Sequence, residues 1–187
     1  MKKYTLAATL LAVSGFCVGS VFAADGTISI TGAITGTTCT ISGGTGAAPG
    51  SGANFPVVLP TVQSSALAGN GATAGSKAYA IYVGGNATCP DGTKVAVLYE
   101  ATSPAINPAT GNLKNMASAT PASNVEVQIV DAAINKPIDL RASQNSTPAT
   151  VTGGIATLPF HARYIATGGA AGKGLVSTNV QYSVTFP

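Results

Sequence analysis

His161 is the only histidine among the 187 residues, so imidazole-based acid, base or metal chemistry would depend on it. In the stretch LPFHARY it alternates with Phe160 and Ala162, which predicts a solvent-facing position on a strand. No G-x-S-x-G sequence supports a Ser-His-Asp arrangement. A zinc site would need more ligands than this histidine and the cysteines supply. We therefore predict neither a catalytic histidine nor a metal site.

The stretch GGAAGKGL, residues 168–175, looks at first like a phosphate-binding loop. It lacks two defining residues, because Thr167 occupies the position of the first glycine and Gly174 follows Lys173 where Ser or Thr would bind magnesium. We interpret it as a turn between strands. The six Asp and Glu residues are scattered singly, so no carboxylate pair can be nominated for hydrolysis. The sequence thus predicts a protein that is not an enzyme and needs no cofactor.

The first residues have the features of a secretory signal peptide. Lys2 and Lys3 give a positive start, a short apolar run follows, and small residues precede a predicted cleavage between Ala23 and Ala24. The apolar run is short for a membrane anchor, and no second one follows. Residues 1–23 are therefore predicted to be removed on export.

Two cysteines, Cys39 and Cys89, remain after the predicted cleavage. An even pair in an exported chain most often forms a disulfide, and closing a loop of this length is worth roughly 4 kcal/mol in the chain-entropy model. Cys17 raises a lipoprotein alternative, but Phe16 before it is too bulky for the usual lipid-attachment site. We predict the disulfide and no lipid anchor.

Charge is scarce in this chain. Of nine Lys and Arg residues two lie in the signal peptide, so seven positive and six negative residues leave a net charge of +1 on the mature protein. A nucleic-acid or anionic-membrane footprint is therefore absent from the sequence. A surface with so little charge permits extensive association between copies.

Apolar residues alternate with a period of two in most of the chain, and helical periodicity is nowhere convincing. The runs are Tyr79–Val83, Val95–Tyr99, Val125–Ile129, Leu158–Tyr164 and Val176–Phe186. Separated by Gly, Pro, Asn and Ser clusters, such runs indicate an all-β sandwich. Two stretches, Gly43–Asn54 and Thr102–Asn124, are expected to be surface loops of a single domain.

The stretch DGTISITGAIT, residues 25–35, is a regular strand pattern near the predicted mature amino terminus. Its even positions include Ile28, Ile30, Gly32 and Ile34. The next apolar residues, however, lie on odd positions, and a change of phase moves every side chain to the other face of a strand. Either a bulge lies near residues 36–37, or the two segments belong to different structural units.

Several segments resemble those of a known family. They are DGTISITGAITGTTCTI, FPVVLPTV, VEVQIVDAAINKPIDL, LPFHARYIATG and NVQYSVTFP, in this order. Together they are similar to major fimbrial subunits, the type 1-like pilins that the chaperone–usher pathway assembles in Gram-negative bacteria. Such pilins have a glycine fourteenth from the carboxy terminus, which is Gly174 here, and a penultimate tyrosine, replaced here by Phe186.

The resemblance implies an incomplete immunoglobulin-like sandwich that is completed by a donor strand from a neighbouring subunit. It divides the chain into a signal peptide (1–23), an N-terminal donor-strand extension (24–36) and a pilin domain (37–187). The donor residues would be Ile28, Ile30, Gly32 and Ile34. The acceptor groove and C-terminal strand would be formed by Gly174, Val176, Val180, Tyr182, Val184 and Phe186.

The implied function is that of a structural subunit in the shaft of an extracellular fimbria that supports adhesion. The implied partners are identical subunits in a helical filament, a periplasmic chaperone anchored by the carboxylate of Pro187, and an outer-membrane usher; a host receptor is a further candidate. The alternatives are a fimbrial adhesin, or a minor or terminating subunit. A self-contained periplasmic sandwich with enzymatic activity is a third, disfavoured by the poor polar inventory.

Overall fold

Nine β-strands and one short 3-10 helix form the regular structure of residues 39–46, 48–50, 52–85 and 89–187, the part of the chain that the computed structural model describes. The strands are β1 (Ile41–Gly44), β2 (Thr73–Gly84), β3 (Lys94–Tyr99), β4 (Leu113–Lys114), β5 (Val125–Asp131), β6 (Lys136–Pro137), β7 (Ala149–Thr150), β8 (Ile155–Ala166) and β9 (Tyr182–Thr185). The 3-10 helix spans Ser64–Leu67. The predicted all-β class is confirmed.

The strands form two antiparallel sheets. The larger has the order β1-β2-β8-β5-β4, with β6 also paired to β5, and the smaller has the order β7-β3-β9. The two longest strands pair over most of their length, with Tyr79 opposite Phe160 and Ile81 opposite Leu158. Because cross-strand partners share a face, their alternating apolar residues form one continuous inner surface.

Aromatic residues from both sheets meet in the core. The Tyr79 ring on β2 stacks on Phe160 of β8 at 5.5 Å, and the Tyr99 ring on β3 meets the same phenylalanine edge-on at 5.7 Å. The hydroxyls of Tyr79 and Tyr99 lie 2.8 Å apart and satisfy each other. Their hydrogen bond joins the two sheets across a buried interior.

This buried tyrosine pair predicts sensitivity to alkali. Burial raises the pKa of both Tyr79 and Tyr99 above the ordinary tyrosine value of about 10. Above pH 10 the unfolded chain therefore loses protons that the folded chain keeps. The stabilisation from each tyrosine is complete below pH 10 and falls by about 1.4 kcal/mol per pH unit above it. Denaturant unfolding at pH 8, 10 and 11 should show this fall, with a shallower slope for Tyr99→Phe; equal stability at pH 10 and 11 would contradict it.

The predicted disulfide is present between Cys39 and Cys89, whose Cα atoms lie 4.8 Å apart. Cys39 lies two residues before the start of β1, and the buried Cys89 lies beyond the end of β2. The bond therefore holds the edge strand β1 at one end, while its register with β2, from Ile41 opposite Val83 to Gly44 opposite Ala80, holds it along its length.

The stretch Gly43–Asn54 was expected to be a surface loop throughout. Its first two residues, Gly43 and Gly44, instead form the end of β1. A Cβ atom on Gly43 would overlap the ring of Phe55. Glycine thus lets an aromatic ring lie directly on the strand, a close approach that strand propensity alone does not anticipate.

The stretch Thr102–Asn124 is likewise more ordered than a surface loop. It contributes Ala105, Ile106 and Leu113 to the core and contains β4. Its polar side chains also hold the buried carboxylate of Glu126, which accepts hydrogen bonds from Asn107, Thr110 and Asn112. These contacts hold Glu126 on β5, a strand in which six of the seven residues are buried rather than every second one.

The run Val176–Phe186 is a strand over only four residues, Tyr182–Thr185, which shows the prediction of one long strand to be wrong. The cause lies in its neighbour, since β3 ends at Tyr99 and the chain turns away. Residues 176–181 meet irregular chain instead, through bonds from the Met116 amide to the Ser177 carbonyl and from the Glu100 amide to the Gln181 carbonyl. The alternation in exposure nevertheless continues from Val176 to Val184.

His161 lies on β8 between Ala78 of β2 and Val130 of β5 and is half-buried, so it is less open to solvent than predicted. Among the residues described, no helix is both long and apolar enough to cross a membrane.

Candidate functional site

Two extended segments border an incompletely covered part of the core. We name residues 55–62 the proline lip and residues 176–184 the C-terminal lip. Every second residue from Phe55 to Leu59 and from Val176 to Val184 points inward and yet remains half-buried. These inward apolar residues are Phe55, Val57, Leu59, Val176, Val180, Tyr182 and Val184. A buried strand would normally lose this exposure, so the core is left open between the lips.

The proline lip is extended without belonging to a sheet. Pro56 and Pro60 fix their own φ angles and bias the residues before them toward extended conformations. Prolines also lack the amide hydrogen that a sheet neighbour would need. Segment 54–62 accordingly makes no backbone–backbone hydrogen bond to any described residue.

Contacts at both ends place the lips side by side. At one end the Tyr182 hydroxyl donates to the Ala53 carbonyl at 2.7 Å, and the rings of Phe55 and Tyr182 lie 6.5 Å apart. At the other end Val62 and Val176 pack against the same small buried cluster. The lips therefore run in opposite directions, and we call the space between them the groove.

A cavity of about 660 Å³ opens at the Tyr182 end of the groove. Its lining includes Ile41 of β1, Val180, Tyr182 and Val184, with Glu100 at its rim. The Ser183 hydroxyl donates to the Glu100 carboxylate, so the one acidic group there is already engaged. Burial raises the pKa of the Tyr182 hydroxyl, which remains neutral at physiological pH. The lining offers apolar contact and little charge.

Along one edge, the backbone of the C-terminal lip pairs with no other described residue. In an antiparallel pair the backbone groups of alternate residues point to opposite sides. Because the Gln181 carbonyl bonds to the Glu100 amide, odd-numbered residues of the lip point toward β3. Even-numbered residues such as Val180 and Tyr182 therefore direct their amides and carbonyls into the groove. An unpaired edge of this kind is a template for another strand.

Thr178 is the polar exception on the inward face of the C-terminal lip. It lies between Val176 and Val180, and its Oγ1 atom is buried without a hydrogen-bond partner among the described residues.

Of the predicted acceptor residues, Val176, Val180, Tyr182 and Val184 lie together on the inward face, whereas Gly174 and Phe186 lie at the two ends. Phe186 is 52% exposed, beyond the end of β9. Gly174 has a φ of +154°, and a Cβ atom there would overlap the backbone of residues 120–122. Its visible role is this close approach, which lets Leu175 bond to the Thr120 carbonyl at 2.9 Å.

The proline lip was not among the residues proposed from the sequence. Its apolar alternation is interrupted by two prolines, which argue against a strand within a sheet. Prolines between alternating apolar residues could have identified it as an unpaired, extended edge. The predicted donor residues Ile28, Ile30, Gly32 and Ile34, and the predicted cleavage between Ala23 and Ala24, lie outside the described residues.

The Asp and Glu carboxylates of the described residues have structural partners. The Asp131 carboxylate accepts from the amides of Ala133 and Thr147, at 3.0 and 2.8 Å, and the Asp91 carboxylate accepts from those of Gly153 and Gly154. In the described part of the chain no three His, Cys, Asp or Glu residues cluster as a metal site would require. The groove is thus the feature with the strongest claim to a function.

Comparisons with known proteins agree with this architecture. Residues 59–187 match the family model described as FimA, Type-1 fimbrial protein, A. The major fimbrial subunit SMF-1 of Stenotrophomonas maltophilia (strain K279a) is 39% identical over 171 residues, covering 88% of this chain and 94% of that protein.

Two solved structures share the fold at low sequence identity. A chaperone–usher pilus structure is 16% identical with a TM-score of 0.56, covering 88% of this chain and 96% of that one. The P pilus rod subunit PapA is 17% identical with a TM-score of 0.55, covering 80% and 99%. These likenesses identify the sandwich as immunoglobulin-like.

Proposed function

Because this chain belongs to the type-1 fimbrial protein family and is a structural fimbrial subunit, we propose that its copies join by strand addition through the groove. Residues 24–36 of one subunit lie between the two lips of the next. The domain that receives them begins at residue 37, and the extension before it belongs to the neighbour's fold. The change of phase near residues 36–37 marks the boundary between donor and domain.

The single observation that carries this proposal is the half-buried inward face of the C-terminal lip beside a free backbone edge. A strand placed there covers Val176, Val180, Tyr182 and Val184 and pairs with their amides and carbonyls. This is β-strand addition, in which main-chain bonds give affinity and side-chain pockets give specificity.

Burial of the donor side chains supplies the energy. Ile28, Ile30 and Ile34 share one face, and full burial of each contributes about 1.5–3 kcal/mol. Three give roughly 5–9 kcal/mol before the cost of ordering the segment. Gly32, on the same face, leaves space where the neighbour's side chains or backbone approach closely.

Since each subunit donates a strand from one surface and accepts one on another, the contact is heterologous. Repetition of such a contact produces an open filament rather than a closed ring. An extracellular surface fimbria built of such subunits agrees with the family.

Before assembly the open groove is an aggregation hazard, because it exposes apolar side chains and unpaired backbone together. We propose that a periplasmic chaperone occupies it, with the Pro187 carboxylate as anchor, and that an outer-membrane usher exchanges the chaperone for a donor strand. Export to the periplasm through the signal peptide of residues 1–23 is part of the same proposal, and weak receptor binding by the shaft remains compatible with it.

The family and the major-subunit relative favour a structural role over that of an adhesin or a terminating subunit. The satisfied carboxylates and the apolar groove support a role without catalysis.

Deletion of residues 24–35, directly after the signal peptide, tests the proposal. Expressed with its assembly machinery, the truncated subunit should form no filaments visible by electron microscopy, because it cannot reach the next groove. It should still be exported and carry the Cys39–Cys89 disulfide. Normal filaments from the truncated subunit would overturn strand addition.

A matched pair of substitutions separates the donor's two faces. Gly32→Val adds an isopropyl group on the inward face and should slow or block polymerisation, whereas Ala33→Val adds two methyl groups on the outward face and should leave it intact. Equal effects of the two would contradict the assignment of faces.

A further inference from the structure

We propose that Thr178 fixes the register of the incoming strand by pairing with Gly32 of the donor, an inference that rests on the proposed strand addition. The observation behind it is the buried Thr178 Oγ1 atom, which has no hydrogen-bond partner in the described part of the chain. Buried hydroxyls in proteins are nearly always hydrogen-bonded, so an orphan at the edge of an open groove indicates that its partner arrives with the occupant.

The donor has no polar side chain on its inward face to serve as this partner. Ile28, Ile30 and Ile34 cover their own backbone with branched apolar side chains, and between Ile28 and Ile34 only Gly32 leaves the backbone of this face uncovered. A carbonyl oxygen has two lone pairs, so the Gly32 carbonyl can take a ladder bond and also accept from the Thr178 hydroxyl. The missing Cβ gives the threonine side chain room to reach it.

The pairing of Gly32 with Thr178 determines which residue of the C-terminal lip lies opposite each donor isoleucine. With the strands antiparallel, Gly32 opposite Thr178 puts Ile30 opposite Val180, Ile28 opposite Tyr182, and Ile34 opposite Val176. All three acceptor positions are half-buried apolar residues of the groove. With the strands parallel, the same pair would place Ile28 opposite Gly174, an exposed residue that lies before the start of the lip.

Registers displaced by two residues lose the hydroxyl's partner. A shift of two residues preserves the faces but sets Ile30 or Ile34 opposite Thr178. The hydroxyl then stays buried beside a hydrocarbon side chain and without an acceptor, which is strongly unfavourable. Thr178 is thus a polar residue in an apolar groove. Its hydroxyl destabilises the displaced registers more than it stabilises the correct one.

Cysteine cross-linking in filaments of the full-length chain measures the register directly. Val180→Cys with Ile30→Cys reports the proposed register, and Val180→Cys with Ile28→Cys reports the register displaced by two residues. Both pairs replace the same residue types, so their cross-linking yields on non-reducing gels are comparable. With Thr178 in place, the first pair should exceed the second by at least about tenfold.

Thr178→Val keeps the shape of the side chain and removes the hydroxyl, so it should lower this ratio by about fivefold or more while filaments still form. Thr178→Ser keeps the hydroxyl and should leave the ratio within about twofold. An unchanged ratio in Thr178→Val, or an equal fall in Thr178→Ser, would overturn the register proposal and leave strand addition intact. Filaments in which neither pair cross-links would overturn both.

Discussion

A subunit that carries a second copy of residues 24–36 behind Pro187, joined through a short Gly/Ser linker, should be monomeric and far more stable than the unmodified chain. The antiparallel arrangement lets a hairpin-length linker return the appended strand along the C-terminal lip. Intramolecular placement gives the strand an effective concentration in the millimolar range. With every groove already filled, no subunit can accept a donor, so filament growth stops.

The expected stabilisation is several kcal/mol. Three buried isoleucines contribute roughly 5–9 kcal/mol, from which the ordering of the segment is subtracted. Denaturant unfolding should show a higher midpoint, and size-exclusion chromatography a monomer. The matched control replaces the three isoleucines of the appended copy by Asn; it should polymerise and unfold like the unmodified chain. A monomer of unchanged stability, or equal stabilisation by the Asn control, would contradict the assignment of Ile28, Ile30 and Ile34 to the groove.

Loss of the disulfide is the second large effect that we expect. Replacing both Cys39 and Cys89 by Ser frees a loop of about 50 residues, and the chain-entropy model gives roughly 4 kcal/mol for its closure. That is a large fraction of the stability of any domain, and this domain also has an open core. The double variant should accumulate poorly in the periplasm and unfold at lower denaturant concentration.

The control for this variant is the unmodified chain with its disulfide reduced, which should lose a similar amount of stability. Since the bond lies outside the groove lining, filaments that do form should keep the register of the unmodified protein. Stability within about 1 kcal/mol of the unmodified chain would contradict the expectation.

Alternation of apolar residues predicted the strands that border a complete core. In β2, β3 and β8, one face meets the opposite sheet, and the sequence records this with a period of two. The same rule overextended the C-terminal run, because alternation records which side faces inward and does not reveal whether a neighbouring strand is present. Residues 176–181 face inward in alternation and still meet an irregular loop on one side.

Tertiary contacts explain what the sequence did not predict. Gly43 and Gly44 read as loop residues, yet the ring of Phe55 needs the space that a glycine strand provides. The buried carboxylate of Glu126 depends on three polar side chains from the preceding stretch, Thr102–Asn124. Neither partner can be identified from local sequence, because each is brought close only by the fold.

Of the two lips that form the candidate site, the sequence predicted only one. The apolar residues of the C-terminal lip follow from alternation together with the family resemblance. The proline lip was not identified from the sequence because prolines lower strand propensity. The special position of Thr178 was not identified because threonine is common in strands. What distinguishes Thr178 is the absence of a partner for one atom among the described residues, which is a three-dimensional property.

The position of the disulfide has a mechanical consequence for a filament under tension. Force that enters the domain along the chain before Cys39 passes across the sulfur–sulfur bond directly to Cys89. The 49 residues between them, which include β1 and β2, are shielded from that force and cannot be drawn out. Fully extended, they would add about 160 Å to each subunit. The bond thus limits how far an individual subunit can lengthen when the filament that contains it is pulled.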